Sequence, residues 1–368
     1  MKFICSGIDL KEATGKLKSV VSGASPDDIL NGIKVVASKG VVSFTASDRE
    51  MTVDKRLGAD VKVEGSTVVE GRFFCDLCSL IGDMQVHIVV SDNTMTIKYG
   101  DNVVEATCFD SNDYPISRVF DKTSEFEIVS SELCDLVDKI EFCASIDNAR
   151  PILRGICMEI DDKVVTGVAL DGYRLAKMSK KLEKSTIKNT SFVVPAKALK
   201  EAVRSIGSTL DVVKILVDKS AILIDAEHIK ITIVLLEGEY LNHRQFIPTS
   251  FSSTAVVPKE QLKTSIGRVK LITQNEKANA LAMEFLPATV VLSSKSERGT
   301  ITEKVLSKLD GVEIKIGFNA KFVTDALSAI DTESIAVKLN NPSAPVLFLP
   351  SGGEEGALYL ILPLRLVG

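Results

Sequence analysis

The chain has 368 residues, 45% hydrophobic and 25% charged, with a formal net charge of −5. These are the proportions of an ordinary soluble globular protein, and the acidic total argues against a simple basic nucleic-acid binder. The chain lacks tryptophan and is 5% aromatic, which speaks against base stacking, and no apolar run approaches the ~20 residues that span a bilayer.

A strand is predicted at Met1–Cys5, with no secretory apolar region before it, so the cytoplasm is the expected compartment. A helix should follow over 9–21, where Leu10, Ala13, Leu17 and Val20 form one apolar stripe. Asp9 suits its N-cap and Gly23 its stop. A second helix opens near Gly71. Then comes a meander of Val86–Val90, Thr94–Tyr99 and Asn102–Phe109, turning at Asp92-Asn93 and Gly100-Asp101. The middle of the chain repeats this order. A helix is predicted over 131–145, then strands Gly155–Ile160 and Val164–Leu170 turning at Asp161-Asp162. Next are a helix over 195–206 with Pro195 in its first turn, and strands Val212–Val217, Ala221–Asp225 and Ile229–Leu236. The last part should hold helices over 258–272 and 319–330. Its closing strands are Ile335–Leu339, Pro345–Leu349 and Ala357–Leu362, with Ser351–Gly356 as an exposed loop.

The residues themselves recur. Phe3, Leu10, Ala46 and Asp48 answer to Phe126, Leu133, Ala169 and Asp171. Arg72 answers to Lys197, and Tyr114-x-x-x-Arg118-x-Phe120 to Tyr240-x-x-x-Arg244-x-Phe246. The final third is fainter: Leu262 answers to Leu133, and Asn319-Ala320-Lys321-Phe322 to Pro195-Ala196-Lys197-Ala198. The period is far longer than that of a solenoid, and each copy is large enough for its own core. We therefore expect three tandem α+β domains, 1–121, 122–247 and 248–368, each an antiparallel sheet with two helices on one face. The boundaries fall near Asp121-Lys122-Thr123 and Pro248-Thr249-Ser250.

No catalytic constellation stands out. The seven cysteines are an odd number among apolar neighbours and read as buried free thiols. Cys75-x-x-Cys78 sits in an apolar helix without the second ligand pair that zinc needs. His87, His228 and His243 have no serine or cysteine motif beside them. Gly352-Gly353 precedes a strand, whereas a phosphate cradle requires a helix. No metal or cofactor is expected. An enzyme using Cys75 or Cys78 is the remotest of three readings.

The predicted helices are slightly basic and the rest of the chain more acidic. Lys11, Lys16, Lys18, Arg72, Lys197, Lys200, Arg204, Lys263, Arg268 and Lys321 could face a common polyanion, although solvated helix faces would have the same composition. A weak contact blind to sequence suits a protein that slides, because phosphate contacts carry no base information.

Five segments carry a resemblance. They are Arg150-Pro151-Ile152-Leu153-Arg154-Gly155, Ala169-Leu170-Asp171-Gly172-Tyr173-Arg174-Leu175-Ala176, Glu237-Gly238-Glu239-Tyr240, Ile316-Gly317-Phe318-Asn319 and Leu362-Pro363-Leu364-Arg365-Leu366. Together with the threefold repeat they resemble the bacterial DNA polymerase III beta subunit family, the replicative sliding clamps. The resemblance implies a head-to-tail homodimeric ring around duplex DNA. It also implies tethering of the replicative polymerase, clamp loader and repair proteins through short hydrophobic peptides. The implied peptide pocket comprises Leu153, Leu170, Gly172, Tyr173, Arg174, Leu175, Leu241, Phe246, Leu360, Leu362, Pro363, Leu364, Arg365 and Leu366, with Arg174 and Arg365 on its rim. The DNA-facing set is Arg72, Arg150, Lys197, Lys200, Arg204 and Lys263. Val104 and Ala106 of one protomer would meet Leu271 and Ile272 of the other, although core packing accounts for these four equally well. The alternative of the same fold is a protein-binding adaptor ring that does not load on DNA.

Overall fold

The computed structural model describes residues 1–21, 28–115, 118–120, 124–273, 280–297, 299–352 and 356–365. Its elements run three times through one order: a strand, a helix, five strands, a second helix, three strands. The first pass is β1 (Lys2–Ser6), α1 (Gly7–Gly15), β2 (Gly32–Ser38), β3 (Val41–Ser47), β4 (Met51–Gly58), β5 (Asp60–Val63), β6 (Gly65–Glu70), α2 (Gly71–Ile81), β7 (Gln85–Ser91), β8 (Thr94–Tyr99) and β9 (Asn102–Phe109). The second is β10 (Ser124–Val129), α3 (Ser130–Asp138), β11 (Gly155–Asp161), β12 (Val164–Leu170), β13 (Arg174–Lys181), β14 (Lys184–Ser185), β15 (Thr190–Pro195), α4 (Ala196–Ile206), β16 (Val212–Val217), β17 (Ala221–Ala226) and β18 (Ile229–Val234). The third is β19 (Ser253–Pro258), α5 (Lys259–Thr273), β20 (Ala280–Phe285), β21 (Thr289–Ser296), β22 (Gly299–Leu306), β23 (Lys308–Gly311), β24 (Ile314–Asn319), α6 (Ala320–Ala329), β25 (Ser334–Leu339), β26 (Val346–Pro350) and β27 (Leu358–Ile361).

Each pass builds two antiparallel half-sheets, one of four strands and one of five. They are β4-β3-β2-β6 with β9-β8-β7-β1-β5, β13-β12-β11-β15 with β18-β17-β16-β10-β14, and β22-β21-β20-β24 with β27-β26-β25-β19-β23. Successive passes then share strands edge to edge. β18 pairs with β4, from Ile229 opposite Lys55 to Ile233 opposite Met51. β27 pairs with β13, from Arg174 opposite Ile361 to Lys177 opposite Leu358. The half-sheets thereby merge into sheets of 14, 9 and 4 strands. The architecture is the expected α+β, three tandem antiparallel domains with two helices each.

Side chains alternate between core and solvent along the strands, as the two-residue pleat requires. Helices bury one stripe each: Phe74, Cys75, Cys78 and Ile81 on α2, and Ala320, Val323, Ala326 and Leu327 on α6. Contacts gather into two compact units. One comprises Met1–Ser131, Leu182–Ile187 and Ala198–Leu235, the other Glu132–Lys181, Lys188–Lys197 and Leu236–Gly368. In the first, Phe44 stacks on Phe74 at 6.2 Å; in the second, Phe318 meets Phe348 edge-on at 5.8 Å. The expected boundary at Asp121-Lys122-Thr123 lies outside the described residues, and so does Gly23. Pro248-Thr249-Ser250 lies in the link between the 3-10 turn His243–Phe246 and β19.

Three helices differ at their ends from the sequence-based expectation. α1 starts earlier, capped by Ser6, whose hydroxyl accepts from the Ile8 N–H at 3.2 Å, and it stops at Gly15 instead of near Val21. Gly15 is a poor helix former and the Thr14 hydroxyl bonds back to the Leu10 carbonyl at 2.8 Å; Leu17 and Val20 are buried in the turns that follow. α3 ends at Asp138, and Glu141–Cys143 forms a separate 3-10 turn. Leu136 in the last turn of α3 and Ile140 just beyond it pack on Gly167, where a Cβ would lie 2.5 Å from Ile140 Cδ1 and 2.7 Å from Leu136 Cδ2. Pro195 closes β15 opposite Gly155 instead of opening α4.

One pair of glycines tests the backbone account. Gly311 has φ +116°, and a Cβ there would stand 2.3 Å from the Ser252 carbonyl oxygen and 2.7 Å from Ser253 Cα. A Cβ at Gly58 would touch nothing within 4 Å. Gly311→Ala is expected to lower stability by more than about 1 kcal/mol and Gly58→Ala to leave it level or slightly raised. Denaturant midpoints check this, and equal midpoints for the two variants would contradict it.

Candidate functional site

All seven cysteines are free and buried. Burial pushes the Cys5, Cys75 and Cys157 thiols up to about 12, and Cys78 and Cys143 higher still. Such thiols are almost wholly protonated at neutral pH and make poor nucleophiles. No cluster of metal-ligating side chains occurs among the described residues. No helix among them is long and apolar enough to cross a membrane.

The most developed candidate site lies where β27 joins β13. Leu153, Leu170, Leu175 and Leu360 are buried in one apolar cluster with Cys157, Val168, Val193 and Leu347. Tyr240 and Ile247 pack against this cluster. Between them, Leu241 and Phe246 stay exposed, Phe246 at 45%. Across the strand joint, Tyr173 is 65% exposed on the turn between β12 and β13, and Gly172 there takes φ +93°. The Tyr173 carbonyl accepts the Leu362 N–H at 2.9 Å, and the Gly317 carbonyl accepts the Leu364 N–H at 2.8 Å. The tail is thus strung from β13 to β24 with Leu362 exposed, Pro363 and Leu364 half-buried and Arg365 in solvent. Leu366 lies outside the described residues. The segments that flank this cluster of buried leucines thus carry exposed apolar groups, Tyr173, Leu241, Phe246 and Leu362.

Arg174 departs from its expected place on the rim. Its side chain is only 10% exposed. Nε donates to Asp171 Oδ2 at 2.9 Å, Nη1 to Asp325 Oδ2 at 2.6 Å and Nη2 to the Phe142 carbonyl at 2.7 Å. The guanidinium lies 5.5 Å from the Phe142 ring centroid and 4.5 Å from that of Phe322. Of these partners only Asp171 is near in the chain; Asp325, Phe142 and Phe322 are distant and leave no local signal.

His243 was a bystander in the sequence and is a buried member of the segment carrying Leu241 and Phe246. Its Nδ1 lies 3.7 Å from Glu159 Oε1, Arg244 holds Glu159 Oε2 at 2.9 Å, and Nε2 has no partner among the described residues. Burial holds the imidazole below its ordinary 6.5, with Lys177 and Arg244 pushing the same way and Glu159 opposing.

The DNA-facing candidates separate by exposure. Arg72, Arg150, Lys197, Lys200 and Arg204 are exposed, whereas Lys263 is half-buried. Lys197, Lys200 and Arg204 follow i, i+3, i+7 and share one face of α4. Within the wider basic set, Lys18 pairs with Asp76 at 2.7 Å, Arg268 with Glu303 at 2.6 Å and Lys321 with Asp325 at 2.7 Å. With Lys16 and Lys18 also beyond the end of α1, the helical bias toward positive charge is smaller than the sequence implied.

Two strand edges are left over. β9 pairs with β8 along its length, but β6 reaches it only at Cys108 and Phe109. Among the described residues no strand covers the other edge of 102–107. Among the described residues β22 pairs with β21 alone. Val104 is half-buried and Ala106 buried on β9; Leu271 is 61% exposed near the end of α5 and Ile272 half-buried. Sequence reasoning placed a helix near Gly71 but missed the exposed apolar side chains of α2. Phe73 and Leu80 are exposed, Leu80 at 83%, with Leu77 half-buried between them. The signal was present, since Phe73, Phe74, Leu77, Leu80 and Ile81 surround more of the helix than one core-facing stripe needs.

The buried His243 sets a pH dependence. The folded state disfavours its protonation, so its contribution to stability is full above pH about 6.5 and falls as the pH drops through the lowered folded value. His243→Phe should flatten the change in denaturant midpoint between pH 7.5 and pH 5 relative to the parent chain. Equal slopes would remove His243 as its source.

Family models for the N-terminal, central and C-terminal domains of the DNA polymerase III beta subunit match residues 1–118, 127–242 and 244–365. The beta sliding clamp of Halalkalibacterium halodurans is 27% identical over 99% of this chain and 100% of its own length. That of Bacillus subtilis is 26% identical over 99% and 100%. The crystal structure of the Bacillus subtilis DNA polymerase sliding clamp covers 100% of both chains with a TM-score of 0.96 at 26% identity. The Thermotoga maritima beta subunit shares the fold at a TM-score of 0.93 and 24% identity. With all three domain models matched in order along nearly its whole length, the chain belongs to the DNA polymerase III beta subunit family, the non-catalytic beta sliding clamps.

Proposed function

We propose that two copies of this chain close head to tail around duplex DNA and keep the replicative polymerase, clamp loader and repair proteins beside it in the cytoplasm. The observation that carries this reading is the pair of unmated strands. β18 pairs with β4 and β27 with β13. The remaining pair equivalent by repeat is β9 and β22, and among the described residues each has a free edge. A second copy supplies the missing partner to both. Carrying over the register of β18 on β4 sets residues 103–106 of β9 against 299–302 of β22. Leu271 and Ile272 of α5, with Phe73 and Leu80 of α2, provide apolar cover beside that seam. A heterologous contact of this kind closes when its rotation closes and otherwise grows into a filament.

Inside such a collar the contact with DNA is electrostatic and blind to sequence. Lys197, Lys200 and Arg204 on α4, joined by Arg72, Arg150 and Lys263, would face phosphates without reading base edges. Retention then depends on a closed protein seam. The exposed groups around Leu241, Phe246, Tyr173 and Leu362 suit a short extended peptide with apolar anchors. A polymerase held by such a peptide stays at high effective concentration after it releases the primer end.

Protein loaded on a nicked circular plasmid by a clamp loader should survive a high-salt wash and be lost when the plasmid is linearised. An adaptor that does not encircle DNA would show no difference between the two forms. Charge reversal at Lys197 and Arg204 should weaken loading more at low salt than at high salt. An unchanged salt response would remove them from the DNA-facing set. Deleting residues 364–368 should abolish polymerase stimulation with the dimer intact, whereas loss of the dimer would make the tail structural.

A further inference from the structure

The repeat allows the two strand joints to be compared position by position. At the first joint, Asp48 Oδ1 accepts from the Glu50 and Met51 amides at 3.0 and 2.7 Å, and the Glu50 carbonyl accepts the Val234 N–H at 2.8 Å. At the second, Asp171 Oδ1 accepts from the Tyr173 and Arg174 amides at 2.9 and 3.0 Å, and the Tyr173 carbonyl accepts the Leu362 N–H at 2.9 Å. The turns and cross-joint bonds are the same. The residue at the head of the receiving strand differs: buried Met51 in one, Arg174 in the other. The arginine is therefore not needed to make the turn.

Its side chain adds cross-ties. From β13 it reaches Asp325 on α6 and the Phe142 carbonyl in the 3-10 turn after α3, between the rings of Phe142 and Phe322. Asp325 Oδ2 also takes Lys321 Nζ at 2.7 Å. α6 begins directly after β24, the strand whose Gly317 carbonyl holds the Leu364 N–H. The Arg174–Asp325 bridge and the Leu362–Leu364 tail thus both connect the start of β13 to the β24–α6 segment, one through charge and one through backbone.

We infer that Arg174 is a positioning residue of the peptide pocket, bridging β13 to α6 so that the tail presents Leu362, Pro363 and Leu364 in register, and that it makes no contact with the bound peptide. This rests on the pocket reading above. A guanidinium with three oxygen partners and two aromatic neighbours has little capacity left for a ligand, and breaking a half-buried charge network costs more than losing an exposed rim charge. Asp325 then matters to the pocket although it lies on α6, away from the exposed apolar groups.

The test uses the full-length chain and a fluorescent hexapeptide with leucine and phenylalanine anchors. Arg174→Ala and Asp325→Asn are each expected to weaken binding about tenfold, with the double variant no weaker than the worse single one, as for partners in one bridge. Amide exchange at Leu362 and Leu364 should speed up in both variants without peptide present. Loss of affinity in Arg174→Ala with Asp325→Asn unchanged would mean that Arg174 touches the peptide, and would overturn the inference. So would unaltered exchange at the two tail amides. Failure of the pocket itself reads differently: Phe246→Ser and Leu362→Ser would then leave peptide binding intact while the exchange result at the tail still stood.

Discussion

Backbone groups on the rim of a sheet need partners, and this constraint organises the molecule. Each repeat makes a four-stranded half-sheet ending in a β4-type strand and a five-stranded one ending in a β9-type strand. An open edge of N–H and C=O groups is a template for whatever strand comes next. The chain satisfies two such edges internally by laying the last strand of one repeat on the third-hairpin strand of the repeat before it. Three repeats in line must leave one edge of each type unfilled. In the proposed dimer, the pairing rule that joins the repeats would also join the leftover edges of two copies.

The two internal joints are chemically unlike. Met51 heads the first and is simply buried. Around the second, charged groups are drawn inward: Lys139 between Asp135 and Asp331, Lys180 with Glu132 and Asp135, and Arg174 in its two-acid, two-ring setting. Phe142 stacks on Tyr359 at 6.1 Å in the same region. Buried ion pairs add less to stability than their geometry suggests, but they fix one arrangement and penalise others. Such fixation suits the proposed peptide pocket, which would hold apolar anchors at set spacings.

Much of this was legible in the residues. The threefold order of elements followed from recurring positions and apolar periodicity, and the turns at Asp92-Asn93 and Asp161-Asp162 from their composition; Asp92 and Asp162 do take positive φ. Helix ends were less so, because the stripe of α1 continues through Leu17 and Val20 after the helix has stopped, and the stripe of α3 through Ile140. Burial keeps the pattern where hydrogen bonding does not. The apolar floor of the candidate pocket came from family resemblance, and its packing on Cys157, Val193 and Leu347 had no local signal because those contacts are distant in sequence. The setting of Arg174 was invisible for the same reason: its partner Asp325 lies on α6, far along the chain.

The proposed ring requires the two leftover edges to complete each other between copies. Cysteines placed at Val104 and Ile301, on a chain whose native thiols are buried, allow the most direct measurement: the mass of the product after mild oxidation. Closed pairing of the edges gives a covalent dimer held by two bonds and no larger species. A ladder of growing oligomers would show a contact that does not close, and protein remaining as single chains would show that these edges never meet.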